Sequence, residues 1–202
     1  MKKLFTLIVV LIGFSTIASA QILLDARSMQ IYYGQPKKVT QETPQGTTMT
    51  CYFDTQGRVS SLEDGNGAVM TFTWRPDNSR ISVRTTMNGS VVGAGYINIS
   101  KYNDEAISYE AEGTEIDIEF DSQKRMEWMG VYQGGVTAEM EYVYTEGSDS
   151  IIPEYMELYN NGNYIGFQTI SDVKYDSKGN FIQTTINQNG YEQVNKRRIY
   201  YY

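Results

Sequence analysis

Hydrophobic and polar residues alternate with a period of two along most of this chain. Ile116, Ile118 and Phe120 fall on one side of a stretch whose other side is Glu115, Asp117, Glu119 and Asp121. Met140, Tyr142 and Tyr144 oppose Glu139 and Glu141, and Ile165, Phe167, Thr169, Ser171, Val173 and Tyr175 share a face with Tyr164, Gly166, Gln168 and Ile170 behind. A two-residue period places successive side chains on opposite faces of a strand, so the pattern predicts antiparallel sheet with one packed and one solvated face. No stretch carries a 3.6-residue stripe of helical length. Residues 22–33 read as either a short helix or an edge strand.

The punctuation agrees. Asn-Gly, the dipeptide suited to two-residue hairpins that need positive φ twice, occurs at Asn66-Gly67, Asn88-Gly89, Asn161-Gly162 and Asn189-Gly190. Pro44-Gln45-Gly46 separates a strand at 37–43 from one at 47–53, and further turns fall at 112–113, 133–135 and 146–149. A second kind of turn recurs, with an aromatic residue, an aspartate and then a glycine or basic residue before the next apolar run: FDTQGRV, WRPDNSRI, FDSQKRM and YDSKGNF. The aspartate can accept from amides of its own turn, and glycine takes the left-handed conformation without steric cost. Unit starts at Phe53, Trp74, Phe120, Tyr144 and Tyr175 are 21, 46, 24 and 31 residues apart, and the widest gap leaves room for a degenerate copy at 99–109. This turn count gives about 13 to 15 short strands, too many for one flat sheet. The expected fold is therefore all-β, an antiparallel meander of short hairpins in a curled or barrel-like sheet with its aromatic face inside.

The aromatic-Asp-x-x-Gly-Arg/Asn-apolar pattern of FDTQGRV at 53–59 and YDSKGNF at 175–181 resembles the YD-repeat (Rhs-like) family, whose repeats are strand-turn-strand ribbons. FDSQKRM lacks the glycine and WRPDNSRI moves the aspartate. The leader, the tyrosine richness and the lack of histidine also resemble small exported proteins of Gram-negative gut bacteria. The resemblance implies hairpin architecture in a bacterial envelope or surface setting, and supplies no catalytic residue.

Residues 1–20 read as a cleaved signal peptide: Lys2 and Lys3, an apolar stretch at 4–12, and Ala18-Ser19-Ala20 as the small-residue cleavage site. The apolar stretch falls short of the about 20 residues that a membrane helix needs. The expected mature chain, 21–202, is one domain with no transmembrane segment, placed in the periplasm, on the outer surface or outside the cell. Composition narrows the chemistry further. The whole chain has a formal charge of −7, and loss of the two leader lysines makes it −9, which argues against nucleic acid. Cys51 is the only cysteine, so it forms no disulfide within the chain and is expected to be a buried thiol. Beyond residue 20 there are four leucines but 17 tyrosines, a composition suited to strands.

With no histidine, Ser-His-Asp and Cys-His catalysis and His zinc sites are excluded. No cofactor or metal is expected. The acidic run of Glu110, Glu112, Glu115, Asp117, Glu119 and Asp121 could supply calcium ligands or a glycosidase pair, but reads more simply as the solvated side of strands. Trp74 and Trp128 read as core, because something must fill the interior where leucine is scarce. Tyr132, Tyr159, Asn160, Asn161 and Tyr164, close to turns, are the candidate ligand-binding residues. The terminal KRRIYYY invites an outer-membrane barrel, but Lys196 and Arg198 share a face with Tyr200 and Tyr202. The sequence thus points to an exported non-catalytic protein with a binding or structural role toward polysaccharide or another envelope protein. Two alternatives stand beside it: a carboxylate-dependent glycan hydrolase using a pair among Glu112, Glu115 and Asp117, and an assembly factor that acts by strand addition.

Overall fold

The computed structural model describes residues 24–42 and 48–202. The expected leader at 1–20 and the turn at 44–46 lie outside the described residues. Fourteen strands follow one another: β1 Pro36–Glu42, β2 Thr48–Phe53, β3 Val59–Asp64, β4 Ala68–Trp74, β5 Arg80–Met87, β6 Ser90–Tyr102, β7 Ala106–Ala111, β8 Thr114–Phe120, β9 Met126–Gln133, β10 Val136–Val143, β11 Tyr155–Asn160, β12 Asn163–Tyr175, β13 Phe181–Gln188 and β14 Tyr191–Tyr201. Each pairs antiparallel with the next, and β1 pairs with β14 through Val39↔Ile199 and Gln41↔Arg197, so the meander closes into a barrel. Every strand has two neighbours. The edge that strand addition would use does not exist among the described residues.

The two kinds of turn sort to the two rims. At one rim the hairpins close in two residues with positive φ at both: Asn88-Gly89, Glu112-Gly113, Gly134-Gly135, Asn161-Gly162 and Asn189-Gly190. Asn66-Gly67 departs from this, because only Gly67 has positive φ and Asp64 Oδ1 instead holds the amides of Asn66 and Ala68. At the opposite rim stand the repeat units. Asp54 Oδ1 accepts from the amides of Gln56 and Arg58, Asp121 Oδ1 from those of Gln123 and Arg125, and Asp176 Oδ1 from those of Lys178 and Asn180. The residue between each second and third member has positive φ: Gly57, Lys124 and Gly179. In two units the arginine folds back onto its aspartate, at 2.7 Å for both Arg58–Asp54 and Arg125–Asp121. The turn within 99–109 differs, since Asn103 Oδ1 accepts from the amides two and three residues on, Glu105 and Ala106, rather than two and four.

The interior is a packed core. Ile81, Ile97, Ile107, Ile116, Ile118, Met129, Met140, Met156 and Leu158 point inward and are buried, as are Val39 and Cys51. Burial pushes the Cys51 thiol pKa up, as expected for an inert buried cysteine. One sector, under β12–β14 and β1, is polar instead: Gln41, Gln168, Thr184, Asn195 and Arg197 are buried there. The long strand β12 turns its Gln168 side inward, while Ile165 and Phe167 are exposed. Irregular pairing at Leu158/Tyr159 and after Ser171 shifts this strand's phase.

Residues 24–33 form neither a helix nor an edge strand. A single bridge joins Asp25 to Arg58, and a turn follows. The segment crosses the repeat-unit mouth with Leu24, Met29 and Ile31 buried. It is tied to hairpin ends around that rim. The Val59 amide donates to Leu24 O at 2.8 Å, Ala26 N to Gly57 O at 2.9 Å, and Arg27 to Asn103 O at 2.9 Å. The Met126 amide donates to Tyr32 Oη at 3.2 Å. Asn180, wholly buried, accepts the amides of Tyr32 and Tyr33 on Oδ1 and donates from Nδ2 to Tyr33 O and Tyr201 Oη. Arg197 donates to the carbonyls of Met29, Gln30 and Phe181 and lies 3.7 Å from the Phe181 ring centroid. Desolvation lowers its pKa to about 9, while each of its three nitrogens donates to one of these carbonyls. This is a plug.

Candidate functional site

A filled interior behind a plugged mouth leaves the outer surface as the place where a partner can be met. Strand pairing brings the expected site residues to one part of it. On β9, Met129 and Val131 point inward, so Trp128, Gly130 and Tyr132 point outward. Their neighbours are fixed by register. Trp128 lies between Glu119 of β8 and Glu141 of β10, Gly130 between Asp117 and Glu139, and Tyr132 between Glu115 and Thr137. Beyond β10, Glu157 is opposite Glu141, and Tyr159 is opposite Glu139. Phe167 and Tyr164 of β12 then follow beside Glu157 and Tyr159.

Trp128 is therefore not core. Trp74 is: it packs on the buried cluster, donates from Nε1 to Val59 O at 2.8 Å, and its ring centroid is 5.3 Å from that of Tyr102. Gly130 explains how Trp128 and Tyr132 sit. A Cβ added there would overlap Trp128 Cη2, come within 2.7 Å of Trp128 Cζ2, and within 2.8 Å of Tyr132 Oη. Both side chains thus bend over the glycine from either side and form an aromatic floor, half-buried, on the outside of the barrel.

Tyr159 and Tyr164 form a second aromatic contact, with ring centroids 5.8 Å apart and planes at 71°. Tyr159 Oη donates to Glu157 at 2.6 Å, and that carboxylate raises the phenol pKa to about 12. Tyr155 and Phe167 make a third contact at 6.5 Å. Asn160 and Asn161 lie at the β11–β12 turn. Asn161 has φ 48°, and its Oδ1 accepts from the Thr137 amide at 2.8 Å, so it holds the hairpin to β10. Of the five expected residues, Tyr132, Tyr159 and Tyr164 share the outward face and the two asparagines shape its border. Trp128 and Gly130 were not among them. Their signal was the Trp-x-Gly-x-Tyr alternation beside strands with an acidic residue at every second position.

The electrostatics of this face are one-sided. From Met126 to Val173 there is no lysine or arginine. Among the described residues, no ion pair or side-chain hydrogen bond engages Glu115, Asp117, Glu119, Glu139 or Glu141. Glu141 and Glu157 are directly opposed, as are Glu110 and Glu115, and like charges in such positions repel. Burial first, then Asp117, Glu139, Glu115 and Glu119, raise the Tyr132 pKa. Glu112 sits apart at its turn, while Glu115 and Asp117 stand two residues apart on the same outward side of β8. No group of histidine, cysteine and acidic residues among the described residues is arranged to hold a metal ion.

No family model and no curated protein matches the sequence. Among solved structures, the chain is similar to a porin-like protein from Bacteroides uniformis ATCC 8492, with 10% identity over 83% of this chain and 99% of that one and a TM-score of 0.47. It is also similar to a porin-like protein from Bacteroides vulgatus ATCC 8482, with 11% identity over 83% and 98% and a TM-score of 0.44. Likeness of this degree carries no conclusion about activity.

Proposed function

We propose that this chain is an exported, non-catalytic binding protein of the cell envelope that works through the outside of its barrel. Export rests on the leader expected at 1–20, and the YD-like turns fit the same setting. The observation that carries the reading is the aromatic floor of Trp128 and Tyr132 over Gly130, placed on the solvent side of a barrel whose interior is filled. Large rings on a rigid sheet offer contact area at little entropic cost. A conducting role does not suit an interior that is packed with side chains, apolar but for one polar sector, behind a plugged mouth. A lipid-facing exterior does not suit acids at successive outward positions of β8 and β10.

Replacing Trp74 by Phe makes Trp128 the sole indole reporter. Fluorescence of this variant of 21–202, titrated with soluble envelope polysaccharides and with peptides, is expected to shift saturably with one class. A folded variant whose emission answers to neither class would overturn the proposal.

A further inference from the structure

We infer that the occupant of this face is a cationic polypeptide segment, laid extended along β9 with lysine or arginine at alternate positions. The inference rests on the docking role proposed above and adds the chemistry of the partner. β9 supplies the aromatic floor, and the strands on either side supply two acid rails: Glu115, Asp117 and Glu119 on β8, and Glu139 and Glu141 on β10. Each rail lies about 4.8 Å from β9, and outward residues along a strand recur about every 6.8 Å. An extended peptide repeats its own same-face side chains at that interval. A Lys-x-Lys-x-Lys segment over Trp128, Gly130 and Tyr132 therefore sets its aliphatic stems on the rings and delivers its ammonium groups to the rails.

Two features select a cation over a neutral chain. The rail acids have no basic partner among the described residues, and the Glu141–Glu157 and Glu110–Glu115 oppositions meet only neutral donors, Tyr159 at Glu157 and Asn98 and the Gly113 amide at Glu110. A cationic segment relieves both; a neutral glycan relieves neither. Because β8–β10 are already paired on both sides, the segment binds on the face of the sheet and not by adding a strand.

The test uses the Trp74→Phe protein with three probes: a ten-residue Lys-Ser repeat, the matching Glu-Ser repeat, and a neutral soluble oligosaccharide. The Lys-Ser peptide is expected to shift Trp128 emission saturably while the Glu-Ser peptide does not. Raising salt from about 0.05 to about 0.5 M is expected to weaken binding at least about tenfold. The triple change Asp117→Asn, Glu139→Gln, Glu141→Gln, which keeps side-chain shape on the solvent side, is expected to weaken it at least about tenfold with an unchanged circular-dichroism spectrum. Glu63→Gln on the outer side of β3, away from the rails, is expected to leave it unchanged. A shift with the oligosaccharide but not with Lys-Ser would overturn the cationic partner while leaving the docking face standing. Undiminished Lys-Ser binding by the triple variant would overturn the rails. Silence from all three probes would overturn both proposals.

Discussion

Lys124 occupies the position that glycine fills in the sister turns, with φ 63° against 77° at Gly57 and 93° at Gly179. A side chain there carries a left-handed penalty of about 1–2 kcal/mol, partly offset because glycine loses more freedom on folding. Lys124→Gly is therefore expected to stabilise the protein by about 1 kcal/mol, read as a higher denaturant midpoint at unchanged slope. Its ion pair with Asp104 is exposed and subtracts little from that gain. The turn tolerates lysine because the Asp121 carboxylate, engaged by two amides and Arg125, defines the loop without it. Asn180 shows the opposite case. Asn180→Ala would strip partners from two amides and a carbonyl of the plug and one donor from the Tyr201 phenol of β14, and is expected to destabilise the protein by about 3 kcal/mol in the same measurement. Cys51 is expected to react with a thiol reagent at neutral pH only after denaturant is added.

Where local chemistry decides an element, the sequence was readable. β8 shows this most clearly: Ile116, Ile118 and Phe120 are buried, as their alternation with acids demanded. The two-residue hairpins and the aspartate turns were legible for the same reason, since their geometry is set within a few residues. Other elements depend on distant partners. Irregular pairing at Leu158/Tyr159 re-phases β12, so Phe167 faces out and Gln168 faces in, against what hydrophobicity alone suggests. The plug at 24–33 has no periodicity because it is shaped by a ring of hairpin ends. Trp128 was misplaced because large rings usually belong inside, and its outward position follows only once β9 is set between two acid-bearing strands. Arg197 binds plug to barrel, so Arg197→Met is expected to increase amide exchange across 26–33 more than in β8 or β10.

At the scale of the whole molecule, tyrosine makes the barrel sensitive to alkali. Burial first of all raises the pKa values of Tyr32 and Tyr201 to about 12, and pushes up those of Tyr102, Tyr109, Tyr142 and Tyr144 as well. Phenols of the unfolded chain lose their protons near pH 10. The unfolded state thus binds fewer protons between about pH 10 and 12, and stability that is fully present below pH 10 falls as pH rises through that window. Exposed tyrosines ionise first, and a later step of tyrosinate absorbance from the buried ones is expected to coincide with loss of far-ultraviolet dichroism. A single step in which every tyrosine ionises in a still-folded barrel would contradict it. The seam between β1 and β14 sets how the protein comes to be folded. Until that pairing forms, any assembled part of the meander has two raw edges and an uncovered apolar side, and the contact that removes them joins residues from opposite ends of the described chain. Such a contact forms late and slowly. A chain of this design therefore spends its early life exposed to mispairing with its own copies, and its folding yield will depend on whatever keeps unfinished molecules apart.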